Sequence, residues 1–156
     1  MNYIKMVEEF HNAFNAPVLE TPQIPSKERC DLRVTLLQEE LDELKEAISN
    51  NDIIEIGDAF SDIMVILAGS ILEFGFGGKF DELFLEVHRS NMSKACNTQQ
   101  EAIETLIHYK EKDGTEGYYK EVDGKWLVYR SGDNKVLKSI SYSPANLKPI
   151  IYEESV

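Results

Sequence analysis

The spacing of apolar and polar positions divides the chain into a long helical part and a short strand-forming part. Ile4, Val7, Phe10, His11 and Phe14 mark one side of a first amphipathic helix over residues 3–14, with His11 read as a packed histidine and not a ligand. Pro17, Pro22 and Pro25 exclude continuous helix and predict an ordered, extended connection. Ser26 is the N-cap candidate for a second helix running to about Ser49, whose core stripe is Leu37, Leu41, Leu44 and Ile48. A polar break at Ser49-Asn50-Asn51 follows, and Asp52 can cap a third helix that is apolar on nearly every side through Leu72. That helix ends near Gly75. The next turn, with Gly75, Gly77 and Gly78, has no preceding strand and so is not a phosphate-binding glycine loop.

A fourth helix is predicted from about Asp81 to Arg89 or slightly beyond, burying Leu83, Phe84 and Val87. Thr98-x-x-Glu101 is a capping box opening a fifth, Gln99 to Lys112. The chain then changes character. Tyr118 to Val122, a turn at Asp123-Gly124, and Trp126 to Arg130 read as a β-hairpin, and Lys135 to Ile140 is the candidate third strand. Trp126, Tyr129 and Tyr142 are read as packing the hairpin onto the helices, not as covering a base. The predicted architecture is mainly all-α: a helical bundle over residues 1–112, with a small antiparallel hairpin or three-stranded meander and tail over 113–156 packed on the same domain.

Glu39, Asp42 and Glu46 on the second helix read by themselves as a solvated acidic face, but ordinary folding does not account for the acids of the third helix. At about 100° per residue, Glu55, Asp58 and Asp62 fall within about 60° of one another on an otherwise apolar helix. On the second helix Glu40 and Glu43 are neighbours, Glu39 precedes them, and Glu40 flanks the leucine stripe. No Lys or Arg occurs between Lys45 and Lys79, so the third helix supplies no counter-charge of its own. The short break predicts an antiparallel helical hairpin, which sets Glu43 and Asp58 about level and makes four or five carboxylates converge. Such oxygen-only donors suit Mg²⁺ or Mn²⁺. Glu55 also occupies the capping-box position after Asp52, a purely structural alternative.

Composition narrows the partners. The 156 residues carry 28 acidic and 16 basic side chains, a formal net charge of −12. Binding along a nucleic-acid backbone is therefore not expected, and a small polyphosphate would need cations to approach. The apolar run Ile63 to Leu72 is about half a membrane span, so no membrane partner is expected. Cys30 and Cys96 are isolated and the N-terminus lacks a signal-sequence pattern, which predicts a cytoplasmic protein with reduced cysteines. The nearly all-round apolarity of the third helix predicts a homo-oligomer, because one short partner helix could not cover it.

The pattern Glu-Glu-x-x-Glu followed by Glu-x-x-Asp, filled here by Glu39, Glu40, Glu43, Glu55 and Asp58, resembles the motif of the all-α nucleoside triphosphate pyrophosphatases, the MazG and phosphoribosyl-ATP pyrophosphohydrolase superfamily. Val87-His88-Arg89-Ser90-Asn91-Met92-Ser93-Lys94 resembles a segment of the phosphoribosyl-ATP pyrophosphohydrolase-like branch, so the likeness covers roughly residues 30–95. It implies hydrolysis of a nucleoside triphosphate, or a phosphoribosyl-ATP-like substrate, to a monophosphate and pyrophosphate. It also implies pairing with further copies as a dimer or dimer of dimers. On this reading Glu40, Glu43, Glu55 and Asp58 are the metal ligands. Glu39 is a carboxylate behind them or the activator of the water, and Asp62 is a further ligand or support. Lys94, Asn91 and Arg89 are candidates for the phosphate groups. Residues 97–130 resemble nothing in the family and read as an insertion.

Two other classes of function fit the same acids. A non-catalytic helical module could bind a metal or nucleotide without turnover, and would show metal-dependent stability alone. A protein-binding module could present the acidic face to a basic partner, and would be salt-sensitive and indifferent to Mg²⁺. Covalent catalysis is not suggested: Ser61 and Ser70 have no His or Lys nearby in sequence, and neither cysteine has an activating context.

Overall fold

A computed structural model describes residues 2–152. Six helices and one two-stranded antiparallel sheet are found among the described residues: α1 (Tyr3–Ala13), α2 (Lys27–Ser49), α3 (Ile53–Glu73), α4 (Phe80–Met92), α5 (Gln99–Asp113), β1 (Gly117–Val122), β2 (Lys125–Arg130) and α6 (Lys148–Ile151). The predicted fold class, mainly helical with a small hairpin, is the one observed. The chain forms two compact units that meet in sequence at Phe80 and Asp81. The change from helix to strand comes after α5, at Asp113, inside the second unit. α5 packs on both strands of the hairpin and belongs with them. Residues 153–156 of the expected tail lie outside the described residues.

In the first unit, α2 and α3 pack as the antiparallel hairpin that the break at residues 49–51 predicts, and α1 packs on α3. The extended linker is tied to the end of α3 by Leu19 N–H donating to the Leu72 carbonyl (3.0 Å) and Gln23 N–H to that of Phe74 (3.1 Å). Gly75, at φ +75°, closes α3 directly against this linker: a Cβ there would be driven into the Thr21 carbonyl. Val7, Ala68 and Leu72 are the buried core, with Ile4 and Val18 against it.

A charged network lies beside that core. Glu73, 1 % exposed, accepts from the guanidinium groups of Arg29 and Arg33. Arg33 also donates to Nε2 of buried His11 (3.2 Å), whose Nδ1 donates to the Pro17 carbonyl (2.9 Å). Burial pushes the Glu73 carboxyl up, but the Arg29 and Arg33 guanidiniums outweigh it and hold the group below its ordinary value. His11 is the packed histidine that its position on the apolar side of α1 predicts. Gly69 makes room for the network, since a Cβ there would stand 2.8 Å from His11 Nε2 and 3.0 Å from Arg33 Nη1.

In the second unit, the Asp123-Gly124 turn (φ 49° and 75°) joins β1 and β2 in the register Tyr118↔Tyr129 and Tyr119↔Val128. The core is Cys96, Ala102, Val128 and Leu137, with Leu106, Tyr109, Tyr119 and Trp126 packed around it. Trp126 therefore packs as expected, and Tyr129 stacks on Tyr118 at 5.4 Å between ring centroids. Two sequence expectations fail here. Lys135 to Ile140 forms a single bridge, Tyr129↔Val136, and no third strand. After Leu137 its polar groups find partners outside the hairpin: the Ser139 hydroxyl donates to Glu101, its N–H to the Lys94 carbonyl (3.1 Å), and Ile140 N–H to Thr105 Oγ1 (3.2 Å). Phe84 and Val87, expected to be buried, are 63 % and 39 % exposed.

Candidate functional site

The α2–α3 turn positions the acids. Asn51 takes φ 54°, Asp52 N–H donates to the Ala47 carbonyl (3.0 Å), and Asp52 Oδ1 accepts from Ile54 N–H (3.0 Å) and Glu55 N–H (3.2 Å). The reciprocal half of a capping box is not formed, because the Asp52 N–H is already bound to Ala47. Glu55 is thereby released from the structural role that its spacing suggested. Small buried residues, Ala47 on α2 and Ala59 on α3, let the two helices approach closely. Glu43, Glu46, Ala47, Asn50, Asp52 and Glu55 line a hollow of about 350 Å³ beside the turn.

One turn further from the loop, Glu40 is the most perturbed of the candidate ligands. It is half-buried, and its Oε2 is enclosed with no hydrogen-bond partner. Burial pushes its carboxyl above the ordinary glutamate value, and the charges of Glu43, Asp62, Glu39 and Asp58 push it further in that order. Five of the six predicted acids therefore share one electrostatic neighbourhood. Glu55 instead accompanies Glu43 at the turn. Asp62, the half-buried one of the α3 acids, acts on Glu40 more strongly than Asp58, although the motif gives Asp58 the leading part. Its position one turn along from Asp58, directly across from Glu40 in an antiparallel pair, was the available signal.

No Lys or Arg forms an ion pair with any of the six among the described residues. Nor do three Asp, Glu, His or Cys side chains among the described residues stand close enough together to hold a metal ion as placed. The acids share a face but are splayed along it. The donor set still fits a hard divalent cation: all donors are carboxylates, the cluster lacks a cationic partner, and its most enclosed oxygen is unsatisfied.

The other candidates lie in the second unit. Asn91 Oδ1 accepts from Lys94 Nζ (2.7 Å), which aligns the pair at the end of α4. Arg89 is otherwise engaged. It donates to both oxygens of Glu86 (2.7 and 2.8 Å), to Ser143 Oγ (3.1 Å) and to the Pro144 carbonyl (3.1 Å). Arg89 and the Asn146 N–H together hold the Glu86 carboxyl at about 2. The local Glu-x-x-Arg spacing was the sign of this pairing. His88 is exposed. Cys30 and Cys96 are free thiols, the latter buried with Thr105 Oγ1 at 3.6 Å. No helix among the described residues is long and apolar enough to cross a membrane.

Comparison with known proteins bears on the same residues. The family model described as phosphoribosyl-ATP pyrophosphohydrolase matches residues 7–91, more than half of the chain and all six acids. A 40-residue stretch is 58 % identical to an uncharacterized protein, L479, of Acanthamoeba polyphaga mimivirus. It amounts to 26 % of this chain and 16 % of that protein, so the likeness spans only a small part of the relative's length.

Proposed function

The chain belongs to the phosphoribosyl-ATP pyrophosphohydrolase family, within the all-α nucleoside triphosphate pyrophosphatase superfamily, and on that premise we propose that it is a Mg²⁺-dependent pyrophosphohydrolase. It cleaves a nucleoside triphosphate, or a phosphoribosyl-ATP-like substrate, to a monophosphate and pyrophosphate. The observation that carries the reading is Glu40: an enclosed, unpartnered carboxylate oxygen in the field of Glu43, Asp62, Glu39 and Asp58. A chain gains nothing in folding from such a group, whereas a divalent cation would satisfy it.

Glu40, Glu43, Glu55 and Asp58 are the residues that would hold Mg²⁺ or Mn²⁺, drawn together from their splayed positions by the ion. When bound, the ion supplies charge neutralisation on the leaving pyrophosphate and a water of lowered pKa. Glu39 accepts the proton of the attacking water, and Asp62 is a further ligand or a support that adds negative charge beside Glu40. Lys94 and Asn91 bind phosphate oxygens. Arg89, whose guanidinium serves Glu86, Ser143 and Pro144, positions the 143–146 segment. No covalent nucleophile takes part. Exposed apolar side chains on α1 and α3, among them Met6, Ile53, Ile54 and Phe60, support self-association of the chain as part of the same reading.

The test is a panel of canonical, deoxy- and modified nucleoside triphosphates with phosphoribosyl-ATP, scored for Mg²⁺-dependent pyrophosphate release. Glu40→Gln and Asp58→Asn should each leave a folded protein that is slower by about a hundredfold or more. Turnover that survives EDTA, or that both substitutions leave intact, would overturn the metal-dependent mechanism.

A further inference from the structure

Residues 138–146 lie against the C-terminal end of α4. Ser139 N–H donates to the Lys94 carbonyl (3.1 Å), Ser143 N–H to Ser93 Oγ (3.0 Å) and Asn146 N–H to Glu86 Oε1 (2.8 Å). Tyr142 hydroxyl and Ser90 Oγ are 3.0 Å apart. Lys138 Nζ stands 4.3 Å from the centroid of the Tyr142 ring. Lys94, paired with Asn91, bears on the same phenol, which its hydrogen bond to Ser90 and the two ammonium groups hold below its ordinary pKa. Neither Lys94 nor Lys138 forms an ion pair among the described residues, in a chain where acids outnumber bases 28 to 16. Lys94 alone would pass for the usual cation at a helix end. Lys138, on no helix or strand, does not fit that description.

We propose that Lys138 and Tyr142 complete a phosphate-binding site with Lys94 and Asn91, gripping the polyphosphate of the substrate. Two uncompensated ammonium groups, a phenol donor and an amide converge on one partly exposed patch, the donor set that multiply charged phosphate oxygens require. The Ser90 hydroxyl holds the phenol and the Tyr142 ring holds the Lys138 ammonium beside it before binding, so less ordering remains to be done when the anion arrives. The identity of the anion rests on the pyrophosphohydrolase reading. The convergence of the donors does not.

The experiment is calorimetric titration of the full chain with inorganic tripolyphosphate, in EDTA and again with Mg²⁺, at low ionic strength. Wild type should bind, and Lys138→Ala should weaken binding about tenfold or more, the effect of losing one charged hydrogen bond. Lys138→Arg should restore most of it, and Tyr142→Phe should cost several-fold. Lys120→Ala is the control, because its ammonium lies over the Tyr118 ring at 5.4 Å in the same unit and should not matter. With any substrate that turns over, KM should rise for Lys138→Ala by about the factor seen in binding. A wild-type protein that binds no tripolyphosphate in either buffer overturns the proposal. So does a Lys138→Ala protein with unchanged affinity and KM, or one that only melts lower and is not rescued by arginine. Lys138-dependent tripolyphosphate binding without nucleotide turnover would instead overturn the pyrophosphohydrolase reading and leave this site standing.

Discussion

Glu40 and Glu73 are both drawn out of water in the helical unit, and their surroundings push them in opposite directions. Glu73 sits between two guanidiniums and is held below its ordinary value. Its stabilisation is present above the unfolded-state pKa, about 4.3, and is lost as pH falls through the lower folded value. Glu40 is raised, first by burial and then by the carboxylates around it. Its favourable contribution exists only below about pH 4.3 and is lost as pH rises through the raised folded value. In EDTA at pH 7, Glu40→Gln should therefore melt higher than wild type by about 2–4 °C, roughly 1 kcal/mol, and the difference should close on acidification toward pH 4. Glu73→Gln should instead cost about 3–5 kcal/mol at pH 7, by leaving the Arg33 charge buried without its partner. Calorimetry of the two variants across pH decides the matter. A Glu40→Gln protein that melts lower at every pH would mean that Glu40 holds the fold together and is not held in reserve for a cation.

At the scale of single elements, local chemistry wrote most of the boundaries. Ser26, Asp52 and Thr98 each cap the helix they precede, and the Asp-Gly turn sits where the hairpin needs positive φ. What the sequence could not disclose were bonds between distant segments. The alternation of Lys135 to Ile140 looks like a strand, but Glu101 and Thr105, more than thirty residues earlier, capture Ser139 and Ile140. Likewise the acids were legible as a group from their spacing and from the apolar helix carrying them. Asp62's place across from Glu40 follows from the antiparallel pairing itself, whereas that Glu55 falls beside Glu43 depends on how the two helices are set against each other. Gly75 and Gly114 give an element-scale test. Both end helices at φ +75°, so alanine at either forfeits about 1–2 kcal/mol. Only Gly75 also has the Thr21 carbonyl where a Cβ would go, whereas space around Gly114 is open. Gly75→Ala should destabilise by about 3 kcal/mol or more and Gly114→Ala by only the ~1–2 kcal/mol of its backbone conformation, measured by urea unfolding. Equal costs would mean that the linker yields and does not brace α3.

For the molecule as a whole, two opposing surface properties have to be reconciled: a net charge of −12 and an abundance of uncovered apolar side chains. Tyr3, Met6, Phe60, Met64 and Val65 line a groove of about 430 Å³ between α1 and α3, and Ile53 and Ile54 at the start of α3 are 77 % and 78 % exposed. Leaving these side chains in water forgoes about 25 cal/mol for every Å² that a second copy would cover. Like charge opposes that association, but it is screened over about 10 Å at moderate salt, while apolar contact is not weakened by salt. If the proposed self-association is driven by these side chains, sedimentation should show a species heavier than the 17.8 kDa chain, and raising NaCl should strengthen it. Phe60→Asp combined with Met64→Asp places two carboxylates on the groove wall and should shift the equilibrium toward monomer by about 3 kcal/mol or more, from lost apolar burial and added repulsion. The doubly substituted chain should keep its helix content by circular dichroism, since both positions are exposed in the isolated chain. A wild-type protein that sediments as a monomer at every concentration and salt would refute self-association through this face. Association that weakens as salt rises would show that contacts between charges hold the copies together in place of the groove.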